Sequence, residues 1–284
     1  MKVVVTGGSG NVGRYVVDEL KKFHHEVTVF DVKEPKDKDI AFVKGDMLKI
    51  DDCRKAFEGA EAIVHLAAIP HPLNDPPERV FNTNVAGIFS VHQAAADLGI
   101  KKVVHASSDS SYGFGFLRAG DFLLPEYLPL DEDHPQRPAD CYGLSKKVGE
   151  DIAKSFTKRY GMRTITLRIC MVFFPELMDS YKSNIEKGKG WLWYNDVRDV
   201  AQAFRLALEA KELKNYEVFC ICAADNGSKF GSIELAKKFF SDKIILKRVI
   251  KGRQSLYDWS KAKALLAYQP HYTLQSFIPS ISSI

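Results

Sequence analysis

The sequence predicts an α/β fold: a doubly wound parallel sheet with helices on both faces, extended by a small C-terminal lobe. Three observations predict it. Short apolar runs alternate with helix-period segments from residue 2 to about residue 170. A glycine-rich turn carries the first run into the first helix. Beyond residue 170 the rhythm changes, and proline, glycine and tryptophan gather. Sustained strand–helix alternation implies a parallel sheet, because each crossover helix returns the chain to run in the same direction.

Val3, Val4 and Val5 make a strand over 2–6, since β-branched side chains suit extended backbone. Thr6-Gly7-Gly8-Ser9-Gly10-Asn11-Val12-Gly13 forms the turn, and a helix over 11–23 follows. The next strand, 26–30, runs into Asp31. Strands at 41–44, 61–65, 101–106 and 163–169 alternate with helices at 51–58, 77–98 and 141–160. Residues 113–140 hold Pro125, Pro129, Pro135 and Pro138 and read as a long loop, a length usually reserved for function. Residues 170–195 carry Pro175, Trp191, Trp193 and Tyr194. A helix at 197–210 follows, with Asp196 as its N-cap. A strand at 217–222, a helix near 232–240, a strand near 244–249 and a helix at 259–267 complete the pattern. The expected division is a dinucleotide-binding domain over 1–169 and a mostly substrate-binding lobe over 170–284, with 196–222 packing back on the first domain.

Composition narrows the function. The 284 residues are 45% hydrophobic and 27% charged, which suits a globular chain able to bury a full core. A net charge of +4, scattered along the chain, gives no footprint for nucleic acid. The five cysteines have neither zinc nor redox spacing, and Cys220 and Cys222 read as core thiols on one strand face. An odd cysteine count and no leader-like opening segment point to a reducing cytoplasm. No apolar run approaches the length needed to span a membrane, and no metal-ligand cluster stands out.

The first strand, turn, helix and second strand form a dinucleotide-binding unit. Gly7, Gly10 and Gly13 let backbone approach a pyrophosphate, and Asn11 and Val12 open a helix whose N–H groups attract its charge. Asp31, 18 residues past Gly13, holds the adenosine ribose diol. A carboxylate there accepts ribose hydroxyls and repels a 2′-phosphate, so the expected cofactor is NAD rather than NADP, with Lys33 softening the repulsion.

Tyr142-Gly143-Leu144-Ser145-Lys146 opens the helix after the long loop. Tyr142 and Lys146 share one face, a turn apart. A phenol with a pKa of about 10 is a weak base at neutral pH, and a neighbouring ammonium lowers that value. Ser107 and Ser108 follow the strand 101–106 at its carboxyl end, where ligands of open parallel sheets bind.

Together these residues resemble the extended short-chain dehydrogenase/reductase superfamily, in its NAD-dependent epimerase/dehydratase branch. The motifs are Thr6-Gly7-x-x-Gly10-x-x-Gly13, Gly45-Asp46-Met47, His65-Leu66-Ala67-Ala68, Asn82-x-Asn84-Val85-x-Gly87, Ser107-Ser108-x-x-x-Tyr112-Gly113, Tyr142-x-x-x-Lys146 and Asp196-Val197-Arg198-Asp199-Val200-Ala201. The resemblance implies a Rossmann-type fold, with Asp46 and Met47 beside the adenine and Leu66, Ala67 and Ala68 lining the path to the nicotinamide. It also puts Asn84 and Ser107 at the cofactor. Ser108 becomes the catalytic hydroxyl, Tyr142 the acid/base, and Lys146 the group that binds the nicotinamide ribose. Ile69, His71, Asp109, Cys170 and Met171 join Ser108 as candidate substrate-lining positions. Members commonly pair through two long helices, here 77–98 and 141–160, which implies a homodimer.

Two departures bear on the substrate. Members acting on nucleotide-sugars usually carry an Asn where this chain has Met171, and a long insertion before the Asp-x-x-Asp-Val-Ala segment. Here only residues 176–195 separate Pro175 from Asp196, and no arginine lies between 169 and 197. A buried diphosphate needs fixed donors or cations. The layout therefore resembles small members such as the uronate dehydrogenases, which act on free sugars or sugar acids. Three readings follow: such a dehydrogenase, a nucleotide-sugar 4-epimerase with tightly held NAD, and a non-enzymatic NAD(P)-sensing module. His71, His105, Trp191 and Trp193 could face a sugar ring, although packing is the simpler role for each.

Overall fold

Seven parallel strands build the central sheet of the computed structural model, which describes residues 1–116, 124–186, 191–240 and 242–278. The strands of the chain are β1 (Lys2–Thr6), β2 (Glu26–Asp31), β3 (Ala41–Lys44), β4 (Ala62–His65), β5 (Lys102–Ser108), β6 (Arg163–Ile169), β7 (Val172–Phe173), β8 (Asn195–Asp196) and β9 (Tyr216–Ile221). The sheet order is β3-β2-β1-β4-β5-β6-β9, and β7 pairs with β8 separately. The order reverses between β1 and β4, and ligands of open α/β sheets bind at such a reversal.

The helices are α1 (Asn11–Lys22), α2 (Ile50–Phe57), α3 (Pro77–Asp97), α4 (Cys141–Tyr160), α5 (Met178–Glu186), α6 (Val197–Glu209), α7 (Ser232–Phe239), α8 (Ser260–Leu266) and α9 (Leu274–Phe277). One sheet face packs α1, α6 and α8 around Val5, Val29, Val64, Phe204 and Phe219. The other packs α2, α3 and α4 around Phe30, Phe57, Ile63, Val91 and Phe156. α6 shows why such helices form. Val197, Val200, Ala201, Phe204, Ala207 and Leu208 recur at helical spacing and are buried, and Asp196 caps the first turn by accepting from the Arg198 N–H at 2.9 Å.

A third cluster joins the long loop, the C-terminal segments and the strand ends. Tyr112, Leu128, Leu130, Cys170, Trp193, Cys220, Cys222 and Tyr257 pack there. All five cysteines are free thiols. Two features differ from the sequence expectation. Residues 244–249 form no strand; the backbone makes one isolated bridge, Leu128 to Leu246, and Ile245 and Val249 stay 64% and 76% exposed. Their apolar run lacks a sheet face to bury against. α5 arises where no regular element was expected, held by Tyr181 and Ile185 at helical spacing against Phe173 and Tyr194. Among the described residues no helix is long and apolar enough to cross a membrane.

Candidate active site

The glycine turn sits at the β1–β4 reversal. Gly7 has φ +71°, and a side chain there would meet the Ala67 backbone nitrogen at 2.6 Å. At Gly13 a Cβ would lie 2.1 Å from the Gly7 carbonyl oxygen, so only glycine lets α1 start this close to the turn. Gly10 is the N-cap of α1 and gives no side-chain cap, so the N–H groups opened by Asn11 and Val12 are uncapped by any side chain at that position. Asp31 ends β2 beside this turn. Its two oxygens accept from the Ser9 and Lys33 backbone N–H groups at 3.1 and 3.0 Å, which holds the carboxylate in place with lone pairs left for ribose hydroxyls. A backbone cradle, an uncapped helix start and a fixed acceptor are the donor and acceptor set that NAD requires.

The residues that the sequence singles out as candidate catalytic groups converge at the carboxyl end of β5. Asp140 caps α4 by accepting from the Gly143 N–H at 2.8 Å, and this start of the helix places Tyr142. Gly143 presses on the short 3-10 turn Asp109–Tyr112: a Cβ there would lie 2.3 Å from the Ser110 carbonyl oxygen. That close approach sets the phenol of Tyr142 beside Ser108, near enough for the serine to favour the ionised phenol. One turn on, Lys146 donates to the Ala106 carbonyl at 2.9 Å, with its Nζ 5.5 Å from the centre of the Tyr142 ring.

The electrostatics depart from the simple expectation for a Tyr/Lys pair. Burial pushes the Tyr142 phenol above its ordinary value; the Ser108 hydrogen bond opposes this, and the charges of Asp109 and Asp140 reinforce it. Burial also lowers Lys146, to about 8, against the charge of Glu150. The ammonium is turned to the Ala106 carbonyl, so desolvation rather than Lys146 dominates the phenol. Asp109 lies in the same buried spot. Its carboxyl accepts from Ser108 at 3.0 Å and from the Trp193 indole at 2.7 Å, and burial raises it to about 6.

Other residues singled out in the sequence take supporting positions. Asn84 exchanges hydrogen bonds with both backbone groups of Ile69 and donates to the Ser145 hydroxyl, so it ties the segment after β4 to α4. Leu66 and Ala67 bond back to Thr6, and Ala67 and Ala68 line a small cavity with His65, His105 and Lys146. Asp46 turns its carboxylate to the Leu48 N–H, while Met47 is buried against Gly87 of α3. Ser107 and Ser108 point to opposite sides of β5. The Ser107 hydroxyl is committed to Glu150 at 2.5 Å, away from Tyr142. His71 is half-buried in its own loop, and Met171 is exposed. Cys170 is buried, with Asn195 donating to its sulfur at 3.2 Å. Trp191 packs on Phe173 and Tyr181.

Sequence reasoning missed three supports: Glu150, Arg168 and Gly143. Arg168 of β6 donates to both Glu150 oxygens at 2.9 and 2.7 Å and to the Tyr112 hydroxyl at 2.6 Å. Glu150 lies one turn beyond Lys146 on the same helix face, a spacing that was available as a signal.

A glycine cradle at a strand-order reversal, with Ser, Tyr and Lys gathered at the next strand end, defines an NAD-dependent enzyme of the short-chain dehydrogenase/reductase kind. The chain belongs to the NAD dependent epimerase/dehydratase family, whose model matches residues 3–222. It is 30% identical to a uronate dehydrogenase of Pseudomonas syringae over 69% of this chain and 66% of that protein, so the match falls just short of two thirds of that relative. It is 31% identical to an L-arabinose 1-dehydrogenase (NAD(P)(+)) of Haloferax volcanii, over 74% of this chain and 83% of that one. In fold it is similar to a short-chain dehydrogenase/reductase superfamily protein of Agrobacterium tumefaciens solved with bound NAD, with a TM-score of 0.76 at 22% identity, covering 100% of this chain and 96% of that one.

Proposed function

We propose that this chain is a dehydrogenase that oxidises a hydroxyl of a free sugar, sugar acid or similar small alcohol. The observation that carries it is the gathering of the Tyr142 phenol, Ser108 at the end of β5 and Lys146 one turn along α4 at the strand-end side of the sheet. Bound NAD supplies the hydride acceptor. Tyr142 would act in its phenolate form, taking the hydroxyl proton as the hydride leaves the same carbon for the cofactor, and Ser108 would hydrogen-bond the oxygen as it becomes a carbonyl. Lys146, anchored on Ala106, fixes the helix face and supplies the local positive charge. Burial of Tyr142 excludes water from the transfer.

The short lobe favours a compact substrate. α5 turns Tyr181 and Ile185 inward and leaves Lys182 exposed, so this helix offers no buried cation for a diphosphate. The similarity to uronate and arabinose dehydrogenases supports the same reading. The test is absorbance of the reduced cofactor with NAD and a panel of D-glucuronate, D-galacturonate, L-arabinose and D-glucose. Sustained NADH formation with one of them is expected. Reaction with UDP-sugars alone, without net NADH, would establish the epimerase reading instead.

The same reading includes a homodimer through α3 and α4, on which Phe89 and Leu144 remain 49% and 43% exposed. Light scattering should then give twice the 31.9 kDa chain mass; a single-chain particle would reject the pairing. Five free thiols fit a reducing compartment, the cytoplasm.

A further inference from the structure

Asp109 has no part in the scheme above, yet it touches the catalytic serine. Ser108 Oγ lies 3.0 Å from Asp109 Oδ1 and 3.1 Å from Ser110 Oγ, and it accepts from the Ser110 N–H at 3.1 Å. A serine hydroxyl has one proton to give. Given to Asp109, it is withheld from the reacting oxygen. The neutral Ser110 hydroxyl competes poorly with a carboxylate for it.

We infer that Asp109 is a positioning residue whose carboxyl decides which way the Ser108 proton points, toward Asp109 or toward the reacting oxygen. This rests on the dehydrogenase reading for the role of Ser108. The geometry makes the choice two-valued. Trp193 Nε1 donates to Asp109 Oδ2 at 2.7 Å, and an indole N–H cannot accept, so Oδ2 remains an acceptor throughout. A proton taken up by Asp109 therefore resides on Oδ1, facing Ser108. The carboxylic acid then donates to Ser108 Oγ, and the Ser108 proton turns outward. The ionised form pulls that proton back, and its charge also opposes ionisation of Tyr142. The indole is itself fixed, stacked on Tyr257 with ring centres 5.8 Å apart.

Burial holds the Asp109 carboxyl near 6, so the change falls close to neutrality. The titratable groups facing it are Tyr142 from α4, Cys170 just past β6 and Tyr257 from the C-terminal lobe. Burial raises all three, so each stays neutral while Asp109 titrates. Against burial, the Trp193 indole, the Ser108 hydroxyl and the Ser110 and Asp109 backbone groups favour its ionised form.

Two readouts test this. The first needs no substrate: the Trp193 indole proton, followed by NMR between about pH 5 and pH 8. Its resonance should titrate with a midpoint near 6 in the wild type and lose that titration in Asp109→Asn. In Ser108→Ala the midpoint should move to higher pH, because the hydroxyl that stabilises the carboxylate is gone. The second uses whichever panel sugar forms NADH. As Asp109 ionises, kcat/KM should drop about tenfold per pH unit towards a plateau. Asp109→Asn should abolish that drop, since its amide N–H donates to Ser108 at every pH. A midpoint unchanged by Ser108→Ala, or the same drop in Asp109→Asn, overturns the inference. Failure of every sugar would count against the dehydrogenase reading, and the indole titration would still decide the role of Asp109.

Discussion

Replacing Glu150 by Ala should unfasten α4 from the sheet. Glu150 and Arg168 are 4% and 6% exposed, so each relies on the other for charge compensation. Removing the carboxylate leaves the guanidinium with the Tyr112 hydroxyl and ring and the Glu132 carbonyl but no opposing charge bonded to it, and leaves the Ser107 hydroxyl without its acceptor. Breaking a buried pair on one side costs about 3–5 kcal/mol. For a chain of this length, each kcal/mol lowers Tm by roughly 2 °C. A fall of about 6–10 °C is therefore expected in a thermal scan monitored by circular dichroism. The double variant Glu150→Leu/Arg168→Met removes both charges and should recover at least half of the loss. A second effect has a definite sign. The Glu150 charge holds the Lys146 pKa up against burial, so without it that pKa drops below about 8. Less Lys146 is then charged near neutrality, and activity should decline more at mildly alkaline than at mildly acidic pH. A single variant that loses less than about 1 kcal/mol, or a double variant no better than the single, would refute the reasoning.

Three other changes separate the parts of the site. Asp31→Ala should weaken NAD binding more than NADP binding by calorimetry, and equal losses would remove Asp31 from the ribose. Gly143→Ala places a Cβ 2.3 Å from the Ser110 carbonyl oxygen and must push α4 off Ser108. Turnover should fall by roughly 10²-fold with NAD affinity retained, because a shift of about an ångström in reacting groups has that effect; unchanged turnover would show that this contact does not position Tyr142. Asn84→Ala deletes the two hydrogen bonds from α3 to Ile69 and the one to Ser145 of α4, and should lower stability by about 2–4 kcal/mol in urea titration, a loss under about 1 kcal/mol arguing against the clamp.

The fold was legible where periodicity and chemistry agree. Strands with consecutive valines, a glycine turn and an acid at a strand end leave one arrangement, and the helix start at Asp196 follows from capping. Tyr142 and Lys146 stood out as candidates because helical spacing puts them on one face behind a dinucleotide-binding unit. What was not legible depends on contacts between distant parts of the chain. Trp193 reaches Asp109 across 84 residues, and Arg168 reaches Glu150 from a strand 18 residues on. A local pattern cannot reveal which acid a tryptophan will meet. The same cause explains residues 244–249, where an apolar run looks like a strand until no sheet edge is found beside it. It also explains the partner of the Ser107 hydroxyl, Glu150, which lies 43 residues further along the chain.

The most direct measurement is a crystal structure of this chain with NAD bound. The account predicts the pyrophosphate against the glycine turn, the adenosine ribose on Asp31, and the nicotinamide C4 within about 4 Å of the Tyr142 hydroxyl side of the pocket. A nicotinamide ring lying far from Tyr142 and Ser108, or a dinucleotide bound elsewhere on the chain, would contradict it.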